Sequence, residues 1–178
     1  METLFPQQLA SEAQAEYQQG KYLSAAMLFK AAADGYSAEK DELQAAEMAN
    51  NCSVAYLKAG EAKSALEAVA GTDLIFATKA DIKRQAMAIG NQAAALEQLG
   101  NLDDAMKAYT RSAELLNDAG EFELRAYVLQ SLSMILLRKR RYLEAYAIMR
   151  AGVMGVNQPK LQQKLLKVLI DIPFKFLK

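Results

Sequence analysis

Sliding the chain against itself by forty residues brings several columns of like residues into one register. Gly20, Gly60 and Gly100 stand with Arg140. Ala25, Ala65, Ala105 and Ala145 form one small column, Ala32, Thr72, Ser112 and Gly152 a second, and Ala13, Ser53, Ala93 and Ser133 a third. A large apolar column, Phe29, Val69, Tyr109 and Met149, follows four positions after the alanines. Alanine, glycine, serine and threonine make up about 30% of the chain, so a single four-for-four small column has a chance of about 1%. Three of them in one register are a repeat, and a repeated chain builds its core between neighbouring units rather than around one centre.

Each unit holds two stretches with apolar residues at i, i+3, i+4 and i+7, divided by the glycine column, so it reads as a helix, a tight turn and a second helix. The spacing predicts helices near 7–19, 22–35, 38–59, 62–70, 80–99, 102–119, 121–139, 142–155 and 159–171. In "GNLDDA" the glycine supplies a left-handed cap, and Asn101, Asp103 and Asp104 suit the next helix start, where short oxygens accept unpaired amides. The small columns let two helix backbones approach toward the ~8 Å end of the usual range. "AVAGTDLIFATKAD" places Gly71 and Thr72 where a helix would continue, and predicts a break that restarts around Asp73. Pro159 is tolerated at the start of the last helix and Pro173 ends it.

Composition narrows the function classes. The chain has 178 residues, 52% apolar and 24% charged, a soluble length, and no apolar run approaches the ~18 needed to span a bilayer. Its start is acidic and polar rather than basic and then apolar, so a cytoplasmic protein is expected. With no histidine and one cysteine, Cys52, the usual metal-ligand sets and histidine acid–base chemistry are missing, and no nucleophile has a recognisable base partner. Neither enzymatic activity nor a cofactor, metal or small-molecule substrate is expected. Cys52 itself reads as a buried small apolar residue.

The zero net charge conceals a polarity. Residues 1–124 hold 19 Asp/Glu against 10 Lys/Arg, whereas residues 125–178 hold 2 against 11. Salt-dependent head-to-tail self-association follows as an expectation. The basic run Arg138, Lys139, Arg140 and Arg141 is read either as a solvated turn or as an import signal or anionic-surface contact. The tail "KLLKVLIDIPFKFLK" is read either as a helix capping the last repeat or as an interfacial membrane helix.

These columns resemble the tetratricopeptide repeat, which places small residues at its eighth, twentieth and twenty-seventh positions and a large apolar residue at the twenty-fourth. "NNCSVAYLKAGEAKSALEAV", with Tyr56, and "IGNQAAALEQLGNLDDAMKAYTRSAELL" carry the resemblance most closely. Leu9, Ala49, Ile89 and Leu129 replace the family's first-helix tryptophan, its terminal proline is missing, and the period of forty exceeds the standard thirty-four. The chain is therefore similar to the long-repeat members, such as kinesin light chain.

The resemblance implies an all-α fold, an α-solenoid of four antiparallel helix-turn-helix repeats over residues 1–156. The repeats span about 6–45, 46–85, 86–125 and 126–156, and residues 157–178 form a capping helix and basic tail. It also implies a peptide-binding groove walled by the first helix of each pair. The groove residues would be Ser11, Gln14, Asn50, Asn51, Lys58, Asn91, Gln98, Tyr127, Gln130, Ser131, Met134 and Arg138. Asparagine in the row Ser11, Asn51, Asn91 and Ser131 resembles a ladder that bonds the backbone of an extended peptide; the other reading is that Asn51 and Asn91 cap or bridge neighbouring helices. The family's carboxylate clamp for Hsp70 and Hsp90 C-terminal tails needs several cations, and its places show Ala10, Gln14, Asn51, Met87 and Asn91, so that tail is not the expected partner. The expected function is a non-enzymatic scaffold binding a peptide or helix of a partner protein. The alternative is a peripheral protein docking on anionic membrane or nucleic acid through its basic C-terminal third.

Overall fold

The computed structural model describes residues 5–154, and every regular element among them is an α-helix. In chain order these are α1 (Pro6–Gln18), α2 (Tyr22–Ala38), α3 (Glu42–Ala59), α4 (Ala62–Val69), α5 (Thr72–Thr78), α6 (Ile82–Gln98), α7 (Leu102–Asp118), α8 (Phe122–Arg138) and α9 (Tyr142–Met154). No helix among the described residues is long and apolar enough to cross a membrane. The expected helix near 159–171 and the rest of the 157–178 tail lie outside the described residues.

Seven helix ends share one construction. The backbone turns left-handed at Gly20, Lys40, Gly60, Ala80, Gly100, Gly120 and Arg140. At each, two amides reach back into the last turn, as where Gly20 N–H donates to the Tyr17 carbonyl and Lys21 N–H to the Glu16 carbonyl, both at 3.0 Å. This paired closure satisfies carbonyls that a helix end leaves open. The next helix starts at once, the Lys21 carbonyl accepting from Ala25 N–H at 3.0 Å. The turn recurs at intervals of twenty residues along the described chain.

Glycine takes the left-handed shape without steric cost, but Lys40, Ala80 and Arg140 take it with a Cβ. Two of these explain where the expected helix starts differ. The stretches expected at 38–59 and 80–99 begin instead at Glu42 and Ile82, because Lys40 and Ala80 close the preceding helix. Asp41 and Asp81 then cap the new ones: Asp41 Oδ1 accepts from Gln44 N–H at 3.1 Å and Asp81 Oδ1 from Arg84 N–H at 2.9 Å. The expected break lies between α4 and α5. Gly71 is left-handed there, and Thr72 Oγ1 donates to the Val69 carbonyl at 2.8 Å.

The chain divides into two compact units, Met1–Ala108 and Tyr109–Lys178. In the first, α1 packs on α2, α2 on α3, and α3 on α4, α5 and α6, while α4 and α5 also meet α6. Ala13, Ala25, Ala26, Phe29, Ala32, Met48, Cys52 and Ala55 share one core cluster; Ala46, Val69, Phe76 and Ala88 share another. In the second unit α8 packs on α9. A Cβ added at Gly152 of α9 would stand 3.5 Å from the Ala126 Cα of α8, ordinary contact that leaves room for a residue no larger than a small one beside α8. All twelve residues of the three small columns are buried, ten of them at 0% exposure.

Candidate peptide-binding face

Three polar bonds tie α3 to α6 in the first unit. Arg84 Nη1 meets Glu47 Oε2 at 2.8 Å, Asn91 Nδ2 donates to Asn50 Oδ1 at 2.8 Å, and Gln98 Nε2 donates to the Leu57 carbonyl at 3.3 Å. On α6 the donors recur every seven residues, two helical turns, and so line one face. Their partners advance in the same order along α3, so the two helices run in the same direction. Arg84 is further fixed by Asp81, its Nε lying 2.6 Å from Asp81 Oδ2. The Arg84 backbone N–H, together with its guanidinium, holds the Asp81 carboxyl below its ordinary range.

This seam sorts the sequence-derived groove residues of the first unit. Asn50 is buried and accepts the Asn91 amide. Asn91 thus bridges helices, and its partner is Asn50 rather than Asn51. Asn51 is half-buried, and its amide makes no hydrogen bond within the protein among the described residues. Ser11 and Gln14 on α1 and Lys58 in the last turn of α3 are exposed. Gln98 is exposed but engaged with Leu57. Sequence reasoning missed Arg84, which looks from spacing alone like one more solvated charge. The seven-residue recurrence of Arg84, Asn91 and Gln98 was the signal for it.

In the second unit Tyr127, Gln130, Met134 and Arg138 are exposed and share one face of α8, with Ser131 half-buried beside them. Tyr127 and Met134 keep 49% and 44% of their surface in solvent. Lys139, Arg140 and Arg141 are exposed in the turn that follows, and Arg141 makes a two-pronged pair with Glu144 at 2.7 and 2.5 Å.

A pair of equivalent hollows lies away from these faces. One, of about 340 Å³, is lined in the first unit by Lys30, Ala33, Asp34, Ala49, Cys52 and Ala68 among others. The other, also about 340 Å³, is lined in the second unit by Thr110, Ala113, Glu114, Leu129, Leu132 and Ile148. Each named residue stands eighty positions from its counterpart. In the first hollow the Cys52 thiol is 1% exposed and donates to the Ala26 carbonyl at 3.2 Å. Burial pushes it up to about 11, which leaves almost no thiolate at neutral pH.

No protein-family model matches this chain, and no curated protein matches it. What the faces can do therefore rests on their own chemistry.

Proposed function

We propose that the chain is a protein-interaction scaffold, an α-solenoid of four tetratricopeptide-like repeats that binds a peptide or helical segment of a partner protein and catalyses no reaction. The repeat reading is supported by the seven like turns at intervals of twenty residues, by the burial of all three small columns, and by the hollows eighty residues apart. The binding reading rests above all on Asn51. A half-buried amide in mid-helix costs helix propensity, and among the described residues this one makes no hydrogen bond in return. Its donors and acceptor are available together, the arrangement that grips an extended backbone at a CO and an NH at once.

Beside it, Asn91 and Asn50 lock α3 against α6, so the amide stands on a fixed surface. Ser11 and Gln14 on α1 offer further exposed polar contacts in the same unit, and Tyr127, Gln130 and Met134 offer aromatic, amide and thioether surface on α8.

The test is capture from a lysate of the source cells with the immobilised chain, followed by mass spectrometry and calorimetry on any protein retained. Asn51→Ala combined with Gln14→Ala should weaken a genuine partner about tenfold or more while leaving the circular dichroism unchanged. A partner held equally well by the double variant would place its binding elsewhere.

A further inference from the structure

The α3–α6 seam can be carried eighty residues along the chain, the same distance that separates the two hollows. Its first two pairs then set Lys164 in the place of Arg84 and Asp171 in that of Asn91, while Tyr127 and Gln130 of α8 take the places of Glu47 and Asn50. Both exchanges keep the chemistry of a contact. The Gln130 amide suits the Asp171 carboxylate as a donor, and a lysine ammonium suits the face of a tyrosine ring. The third pair falls beyond Pro173, where the expected helix ends.

The described helices show where such a segment would lie. Asn50, bonded to Asn91, is 6% exposed, but its counterpart Gln130 is open to solvent. In the large apolar column Phe29, Val69 and Tyr109 are 3%, 3% and 5% exposed, whereas Met149 of α9 is only half-buried. Phe29 shares its core cluster with Met48 and Cys52 of α3. The residues 120 positions further on are Val168 and Ile172, and Leu165 and Leu169 stand likewise for Ala45 and Ala49. These four lie outside the described residues, and their spacing makes one apolar stripe of a helix, with Lys164 and Asp171 together on its flank.

We propose that residues 159–172 of the same chain dock on α8 and α9 as the first helix of a further repeat unit, parallel to α8, with Asp171 on Gln130 and the Val168–Ile172 stripe over Met149. The occupant is set by register and chemistry together: one segment supplies both the apolar stripe that Met149 lacks and a carboxylate at the step where Gln130 offers an amide. Ser131 and Met134, the counterparts of Asn51 and Val54, stay on the open face. The inference does not depend on partner binding at the Asn51 face, and either can fail without the other.

Two experiments on the full chain test it. With a short bifunctional thiosulfonate, Gln130→Cys combined with Asp171→Cys should link within one chain. It should do so much faster than Gln130→Cys with Gln162→Cys, since Gln162 lies nine residues earlier on the opposite side of the expected helix. Cys52 is buried and takes no part. Trypsin cutting after Lys164 and Lys167, followed by mass spectrometry, reads how firmly the segment is seated. Gln130→Glu sets one carboxylate against another and should speed the cutting about tenfold, whereas Gln130→Lys gives Asp171 an ammonium and should leave cutting no faster than in the parent. The proposal is overturned if the 130–171 pair links no faster than the 130–162 pair, or if its link joins two chains, which would seat the segment on a second copy. It is also overturned if the glutamate and lysine variants are cut at the same rate.

Discussion

Asn50, Asn51 and Asn91 look alike in sequence yet should respond to alanine in two distinct ways. Asn91→Ala removes the donor that lies 2.8 Å from Asn50 Oδ1 and leaves an acceptor whose residue is only 6% exposed. A buried polar atom stripped of its partner costs about 1–3 kcal/mol, from which alanine's better helix propensity returns about 0.5 kcal/mol. Asn50→Ala should cost less, because half-buried Asn91 can turn its amide to water. The double variant should therefore fall short of the sum by about 1 kcal/mol, the coupling of two groups in contact. Asn51→Ala, which removes no hydrogen bond to a described residue, should lie within about 0.5 kcal/mol of the parent. Urea unfolding followed by circular dichroism and by tyrosine fluorescence gives all four values, and agreement of the two probes checks that one transition is being measured. A coupling below about 0.3 kcal/mol, or an Asn51 variant as damaged as Asn91→Ala, would refute the assignment of one asparagine to structure and the other to the open face.

Ala80→Gly should stabilise the chain by about 0.5–1 kcal/mol, since Ala80 holds φ 55° with a Cβ that the left-handed region disfavours; a loss of stability in thermal unfolding would count against that turn. Ala25→Leu should cost about 1–3 kcal/mol in urea unfolding, because the site is at 0% exposure among Phe29, Met48 and Cys52, and a tolerated leucine would show room that close packing denies. Cys52 should resist a water-soluble thiol reagent at neutral pH until urea unfolds the chain. Its raised folded pKa contributes stability that is complete below the unfolded value of about 8.5 and is lost as pH rises toward about 11, so unfolding at alkaline pH should be easier for the parent than for Cys52→Ala relative to neutral pH.

The columns of small residues were legible because burial at a close helix contact admits little beyond alanine, glycine, serine and threonine, and all twelve positions are buried. The turns marked by glycine were legible for the same kind of reason, a backbone shape that selects a residue. At Lys40 and Ala80 the shape is imposed by the bonds on either side, Asp41 N–H to the Tyr36 carbonyl and Asp81 N–H to the Phe76 carbonyl, and neither residue type announces it. Asp41 and Asp81 were the surviving signal, as caps that place the true start of α3 and α6. On the candidate face the asparagine row was readable, but its pairing was not. Asn91 lies forty-one residues from Asn50, one step off the forty-residue register, and that step depends on how far each helix is rotated about its own axis.

Arg84 joins the irregular part of the fold to the regular part. Repeat-like order lapses where α4 gives way to α5 at Gly71, and a short helix of seven residues has little stability of its own. Its Phe76 is at 0% exposure, packed with Ala46 of α3, Val69 of α4 and Ala88 of α6, and the Arg84 guanidinium lies 5.5 Å from the ring centroid. The same guanidinium bonds Glu47 on α3 and Asp81 at the start of α6. One side chain thus meets three elements, and it stands at the head of the seam that continues through Asn91 and Gln98. Three polar bonds along its length hold α3 to α6, and with it the surface that presents Asn51. On the proposed reading, in which a partner segment binds there, the entropy cost of ordering would fall mainly on that segment.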